Sequence, residues 1–294
     1  MDMAKIFVKE EDKERITRII NSFDLDYSLE RDFVDKEKIE NLQIAELDKK
    51  DWIVVPKEFT NGKYLLRVSP ARLSYNSAVE KVGKELGINY KNISEDSLGR
   101  KFVGNNDWKN SLMLVQFLGA KAPSLEQKIN YFRLLYLGFQ EKVKVYDVSG
   151  KEIDSKLCEK LLRDTVGANS PWRGEWLNND LKTSEKGLEV RAGNTFDKEG
   201  NLIDYKSEIL DKNTLMKDKT PGISLEDYLE KNHTSQGFPN KEVKSGDLYY
   251  WFPKSDNNSV VRLGAYWGRA GLGCDGGPSV CYSVIGVGAL EEEK

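Results

Sequence analysis

The chain has 294 residues, enough for one large domain or for a domain with a small extension. It carries 45 Lys and Arg against 48 Asp and Glu, a net charge of −3, and this even mixture gives no support for a nucleic-acid partner, which normally shows as a basic patch. No apolar run approaches the roughly 18 residues of a membrane-spanning helix, and residues 1–14 are charged rather than apolar. We therefore expect no membrane span and no secretion leader, and a cytoplasmic location by default.

Residues 1–62 are predicted to form a small N-terminal extension, whose role the sequence leaves open. Ile16, Ile19 and Phe23 have helical spacing, and a strand is predicted at residues 51–56. A cluster of turn-forming residues at 56–62 is interpreted as a boundary. Residues 63–294 would then be the main domain.

The main domain is predicted to be α+β, with helices early and mostly strands late. Ser124 and Gln127 have the spacing of a capping box and predict the start of a helix. The other predicted elements are a strand at 64–69, helices at 71–86, 110–118 and 224–231, hairpins at 143–153 and 195–203, and strands at 247–253, 259–264 and 284–290.

Three cysteines and one histidine limit the chemistry that the chain can perform. Cys158, Cys274 and Cys281 are too few and too far apart for a disulfide framework or a zinc site, so a reducing compartment fits best. The single His233 removes most zinc sites and most histidine-based catalysis. We expect no metal and no cofactor, and only an enzymatic mechanism that needs neither metal nor histidine stays open.

Residues 172–180 place two tryptophans among polar side chains. Glu175, Asn178 and Asp180 beside Trp176 could hold a sugar or a cation or form an acid–base pair. The alternative is a loop that is anchored in the core by its tryptophans, because alternation of tryptophan with polar residues is also typical of a half-buried segment.

Residues 262–290 differ in composition from the rest of the chain. Only Arg269 and Asp275 are charged among the 21 residues 263–283, where the chain average of 32% would give about seven, and Lys, Glu, Gln and Met are absent. Eight of the 24 glycines lie between Gly264 and Gly288, so this backbone is conformationally permissive. The pattern favours a Gly-rich loop held by strand-like flanks, and it predicts the functional surface of the protein.

The same segment is open to three other interpretations. An ordinary irregular surface loop has the same composition. A phosphate-binding loop would need a following helix and a lysine, and neither is indicated. Catalysis by Cys274 or Cys281 would need an activating base, and the segment contains no histidine.

Three stretches, taken in order, resemble the C-type lectin fold in the branch shared by formylglycine-generating enzymes and the variable proteins of diversity-generating retroelements. Residues 112–126 resemble the helix, turn and second helix of that branch, and Gly174-Glu175-Trp176 resembles its Trp-Glu-Trp loop. Residues 261–266, followed by Ala270-Gly271 and Ile285-Gly286, resemble its C-terminal segment. Leu263, Tyr266 and Val287 depart from the residues usual there.

The resemblance favours the variable proteins over the enzymes. Gly268 and Gly273 occupy the positions of the enzymes' catalytic cysteine pair, so no enzymatic activity is expected. Adenine-directed mutagenesis in the retroelements produces residues such as Gly, Ala, Ser, Cys, Asp and Tyr but not Lys, Glu, Gln or Met. Within this family the chain most resembles the archaeal variable proteins. The candidate variable, ligand-binding positions are Ala265, Tyr266, Gly268, Arg269, Gly273, Cys274, Asp275, Gly276, Gly277, Ser279, Cys281, Tyr282 and Ser283.

Two functional hypotheses follow. In the first, the chain binds a ligand, expected to be a protein, through a hypervariable C-terminal surface on a lectin-type scaffold, with Tyr266 and Tyr282 as the best contact residues. In the second, it is an enzyme or a conventional lectin of the same fold that uses Glu175, Asn178 and Asp180 with Trp176.

Overall fold

The computed structural model describes residues 45–70, 72–88, 93–96, 99–167, 173–254, 259–266, 269–281 and 285–293; for Ile93, Ala265, Tyr266 and Arg269 it describes only the backbone. The helix predicted around Ile16 to Phe23 lies outside these residues. In the described part the fold is mixed α+β with one large sheet, which confirms the predicted class.

The helices are α1 (Ser77–Leu86), α2 (Trp108–Gln116), α3 (Leu125–Phe139), α4 (Ser155–Val166) and α5 (Leu225–Glu230), with a 3-10 turn at Lys57–Thr60. The strands are β1 (Ile53–Val55), β2 (Leu65–Val68), β3 (Ile93–Glu95), β4 (Lys101–Val103), β5 (Val145–Tyr146), β6 (Glu152–Ile153), β7 (Gly174–Ser184), β8 (Gly187–Phe196), β9 (Leu202–Ile209), β10 (Lys219–Ile223), β11 (Leu248–Trp251), β12 (Ser259–Tyr266), β13 (Arg269–Gly276), β14 (Ile285–Val287) and β15 (Leu290–Glu293).

Most predicted helices begin where a side chain caps them. Ser124 and Gln127 form the predicted capping box at the start of α3, and Ser224 caps α5. Helix α1 starts later than predicted, because Asn76 is its N-cap, and it ends at Gly87 as expected. Helix α4 was not predicted, although Asp154 caps it and Cys158, Leu161 and Leu162 form its buried side.

The large sheet has the strand order β10-β11-β13-β12-β7-β8-β9, and β14 pairs with β7 in parallel. Strands β12 and β13 form an antiparallel hairpin in the middle of this sheet. The prediction of a Gly-rich loop is therefore wrong for residues 269–276, which are a strand hydrogen-bonded on both sides. The predicted loop around Trp176 is also wrong, because β7 runs through it.

A small sheet, β1-β2-β15, joins the two ends of the main domain. Val54 is opposite Arg67, and Arg67 is also opposite Glu291 on its other side. Residues 56–62 thus connect two paired strands, so the described structure places no domain boundary at this turn. The hairpins predicted at 143–153 and 195–203 are both present, as β5–β6 and β8–β9.

The two faces of β7 enter different hydrophobic clusters. Leu177 packs into a cluster under α3 and α4, together with Leu263 and Leu272 of the hairpin. Trp176 points the opposite way, into a cluster built around α2. Strand β7 is consequently buried on both sides. No helix among the described residues is long and apolar enough to cross a membrane.

Candidate functional site

The outward side of β11, β12 and β13 forms a continuous surface, which we call the hairpin face. In its first row Tyr249 lies opposite Gly271 and Gly271 opposite Gly264. In its second row Trp251 lies opposite Gly273 and Gly273 opposite Arg262. Opposed residues on paired strands share a side of the sheet, and alternate residues point to opposite sides. The hairpin face is therefore defined by Tyr249, Trp251, Arg262, Gly264, Gly271, Gly273 and Asp275.

Large side chains lie across the glycines of this face. The rings of Tyr249 and Trp251 stack with centroids 5.9 Å apart and an interplanar angle of 26°. A methyl group added at Gly271 would stand 2.6 Å from the Trp251 ring, and one at Gly273 would stand 3.2 Å from Arg262 Nε. The indole thus covers Gly271 and the guanidinium covers Gly273, which gives a shallow, partly aromatic surface.

A charged pair borders the hairpin face. Lys254 Nζ lies 2.9 Å from Asp275 Oδ2, and both side chains keep contact with solvent. Their ion pair closes the end of the face near the loop that follows β13. Such an exposed pair contributes little to stability, so the sheet does not depend on Asp275.

The glycines of the hairpin differ in the space around them. A side chain at Gly264 would meet backbone, 2.6 Å from Gly174 Cα and 2.7 Å from Arg173 O. At Gly273 the nearest atoms belong to the flexible end of Arg262, and at Gly277 only Val280 Cγ2 is near, at 3.5 Å. Gly273 and Gly277, both candidate variable positions, therefore accept side chains that Gly264 does not.

The thirteen candidate positions fall into five groups according to where the structure places them. Gly268, Tyr282 and Ser283 lie outside the described residues, and Ala265, Tyr266 and Arg269 are described only as backbone at the end of the hairpin, where Tyr266 pairs with Arg269. Ser279 and Cys281 are exposed, whereas Asp275 and Gly277 are half-buried. Gly273, Cys274 and Gly276 are buried.

Cys274 and Gly276 are less suited to ligand contact than the resemblance implies. The Cys274 side chain is fully buried in the main core, because Gly273 and Asp275 take the outward positions on β13. Burial raises the pKa of this thiol well above its ordinary value, so it is also an unreactive cysteine. A methyl group at Gly276 would lie 3.2 Å from the Val260 carbonyl oxygen, which leaves little room for variation.

The polar residues around Trp176 are enclosed rather than displayed. Trp176 has no exposed surface, and its indole Nε1 donates to the Asn106 carbonyl oxygen at 3.1 Å. Glu175 is equally buried and pairs with Lys128 Nζ at 2.6 Å. Burial by itself would raise the pKa of Glu175, but Lys128 and Arg72 outweigh it and hold that pKa below its ordinary value. Both residues lie in the core, as the core interpretation predicted.

Asn178 and Asp180, the other two polar residues of the second hypothesis, are both buried. Asn178 Oδ1 accepts hydrogen bonds from the backbone and the side chain of Asn194, at 2.8 and 2.9 Å. Asp180 is 6% exposed, and burial raises the pKa of its carboxyl group. Among the described residues no group of His, Cys, Asp and Glu side chains has the geometry of a metal site.

A buried ionic network holds β7, the strand that pairs with β12 of the hairpin. Arg72 pairs with Asp164, and its Nε donates to the Gly174 carbonyl oxygen at 2.9 Å. Gly174 is the residue against which Gly264 packs. The network therefore fixes the position of β7, and through it the base of the β12–β13 hairpin.

Sequence reasoning missed the aromatic part of the hairpin face. Tyr249 and Trp251 belong to a run of four aromatic residues, and the alternation within that run could have identified an exposed side. A separate open groove of about 750 Å³ lies between β8–β9 and the start of α3. Its lining comes from segments far apart in the chain, so it left no local signal.

These features define a mixed α+β protein with a shallow surface on its largest sheet, next to a strand that buried ion pairs hold in place. No protein-family model, curated protein or solved structure matches the chain.

Proposed function

We propose that this protein binds a ligand through the hairpin face and the loop after β13, and that this surface is diversifiable, as in the variable proteins of diversity-generating retroelements. The ligand is a protein, and the scaffold is a C-type lectin-like fold with no enzymatic activity. The observation that carries the proposal is the difference in space between Gly273 or Gly277 and Gly264.

The pattern of burial along β13 supports a surface that changes while its framework stays. Gly273 and Asp275 point outward, whereas Leu272 and Cys274 pack into the core. Substitution at the outward positions leaves the hydrophobic cluster untouched. The ligand-binding set that we propose is accordingly narrower than the thirteen candidate positions, since Cys274 and Gly276 are omitted.

The arrangement of strands supports the lectin-type scaffold. Strand β15 near the C-terminus pairs with β2 at the start of the main domain. In chain order the β12–β13 hairpin comes after the helices and before the last two strands, β14 and β15. Helices α2 and α3 precede the central strand β7, in the order that the resemblance implies. This supports the fold proposal through topology alone.

The second hypothesis receives less support. Glu175 and Trp176 are fully buried, and Glu175 is already paired with Lys128. A sugar or a cation could reach them only if the core opened. At the position of one enzyme cysteine the chain has Gly273, which supplies no nucleophile.

Two matched libraries test the proposal. The first randomises the outward positions Gly273, Asp275, Gly277, Ser279 and Cys281. The second randomises the inward positions Tyr250, Leu263, Leu272 and Cys274. We expect most members of the first library to resist proteolysis as the parent does and to yield binders when displayed against a panel of proteins, whereas the second library loses its fold.

Two results would overturn this proposal. One is that the first library unfolds as often as the second, which would show that the outward positions are part of the framework. The other is that folded members of the first library yield no binder to any protein in the panel.

A further inference from the structure

Strand β9 closes one side of the large sheet and is exposed along its whole length. Ile203, Tyr205 and Ile209 are 41%, 42% and 45% exposed, which is unusual for large apolar side chains. Among the described residues no strand pairs with its outer edge. Unpaired edges of this kind are templates for the addition of another strand.

The peptide groups of β9 show which residues are available at that edge. Leu210 N–H donates to the Leu188 carbonyl oxygen across the β8–β9 pair, at 2.8 Å. The Ile209 carbonyl points the other way and accepts from Gln236 Nε2, also at 2.8 Å. The pairing of β9 with β8 is regular from Ile209 to Lys206, and the register shift that follows inserts its extra residue in β8. The direction therefore alternates along this part of β9, and Tyr205 and Ser207 present their N–H and C=O groups outward. The edge is therefore occupied at Ile209 and open at Tyr205 and Ser207.

We propose that β9 pairs antiparallel with β9 of a second copy of this chain, about a two-fold axis at Tyr205. The two Tyr205 residues would exchange both backbone hydrogen bonds, and Ser207 of each copy would lie opposite Ile203 of the other. This is an isologous interface, in which one surface meets itself.

Charge complementarity selects this pairing. With the axis at Tyr205, Asp204 of each copy lies directly opposite Lys206 of the other, which makes two ion pairs on one side of the new ladder. Neither Asp204 nor Lys206 has an ion-pair partner among the described residues of its own chain. The charges of this edge are thus satisfied by a second copy.

Neighbouring registers are less favourable. An axis at Lys206 would oppose Lys206 to itself and Asp204 to Glu208, so every charged pair would repel. An axis at Ser207 would require the Ile209 carbonyl, which already accepts from Gln236. The register centred on Tyr205 avoids both difficulties.

Such a dimer would extend the large sheet through both copies. Since β9 and β13 are separated by β8, β7 and β12, the two hairpin faces would lie far from the contact and stay free. A dimer would then present two binding surfaces, and a multivalent ligand would be held more tightly than by one copy.

Charge reversal tests the interface. Sedimentation velocity of the full chain over a range of concentrations should show a reversible dimer. Asp204→Lys creates two repulsive pairs and should raise the dissociation constant by about 30-fold. Lys206→Asp should do the same, and the double variant, which restores opposite charges across the axis, should recover dimerisation. Circular dichroism and thermal unfolding verify that each variant is folded.

Cross-linking tests the register. In a Cys281→Ser background, Tyr205→Cys should be joined by a short bismaleimide much faster than Ser207→Cys, because only residue 205 faces itself across the axis. The proposal is overturned if the chain is monomeric at every concentration, if folded Asp204→Lys associates like the parent, or if Ser207→Cys cross-links as fast as Tyr205→Cys.

Discussion

Gly264→Ala is the substitution that most directly probes the base of the hairpin. The added methyl group would stand 2.6 Å from Gly174 Cα and 2.7 Å from Arg173 O, and both are backbone atoms. To reach an ordinary contact of 3.4 Å, β12 and β7 must separate by about 0.8 Å. Gly174 is itself held by the Arg72 hydrogen bond, so neither strand moves freely.

The expected loss of stability follows from this geometry. Overpacking of this kind costs about 1–3 kcal/mol, and we expect the upper end because rigid backbone meets rigid backbone. In a chain of this size or somewhat smaller, a loss of about 1 kcal/mol in unfolding free energy lowers the melting temperature by about 2–4 °C. A loss of about 3 kcal/mol should therefore lower it by roughly 6–12 °C.

Gly273→Ala is the matched control. It lies on the same face, and its new methyl group would meet only the movable end of Arg262, at 3.2 Å. We expect a change in unfolding free energy within about 1 kcal/mol, because alanine lowers the conformational entropy of the unfolded chain, and this gain partly offsets the cost of the small displacement. Thermal and urea unfolding measure both variants. The reasoning is refuted if Gly264→Ala is no less stable than Gly273→Ala.

Three further predictions concern buried groups. Glu175→Gln should lower stability by about 3 kcal/mol at neutral pH, because it leaves Lys128 unpaired. The folded pKa of Glu175 is lowered, so the stability that its carboxylate contributes is present above the unfolded pKa and is lost as pH falls through the folded pKa. The variant should therefore show a flatter acid-unfolding profile than the parent. Asp180→Asn should raise stability by about 1 kcal/mol at neutral pH, because burial disfavours the charged carboxylate and raises its folded pKa. Urea unfolding below pH 3.8, the ordinary pKa of the group, should show no such gain. A gain that is unchanged at that pH would contradict the prediction. Thiol titration of the native protein should modify Cys281 alone, with all three cysteines reacting in denaturant, and rapid modification of a second native thiol would contradict the described burial.

Local signals in the sequence identified most helices and hairpins. The capping box at Ser124 and the glycine at Gly87 predict helix ends because the interactions that form them span only a few residues. The turn at Gly200 likewise predicts the β8–β9 hairpin. Such features need no knowledge of the distant chain.

The central strands were missed for a physical reason. Strand β7 is buried on both faces, so its polar residues follow no alternating pattern, and Glu175 is satisfied by Lys128 from a distant helix. Strand β13 consists largely of residues with low strand propensity, such as Gly271 and Gly273, and it exists because β11 and β12 pair with it. Tertiary pairing of this kind leaves no local trace.

The candidate site lies in the segment that the sequence singled out, but its form differs from the predicted loop. Composition drew attention to residues 262–290, yet it gave no indication that Cys274 points into the core while Asp275 points outward. That distinction depends on the register of β13 against β12. A strand that shifts by one residue exchanges its two faces, so the hairpin face could be assigned only from the structure.

The most direct test of the diversifiable surface is to sequence the codons for residues 262–290 in many sister cells of the source population. The account predicts substitutions concentrated at the eleven positions of the proposed ligand-binding set, which include Gly273, Asp275, Gly277 and Ser279, with Gly264 and Gly271 unchanged and adenines over-represented at the variable sites. Substitutions spread evenly along the segment, or as frequent at Gly264 as at Gly273, would contradict it.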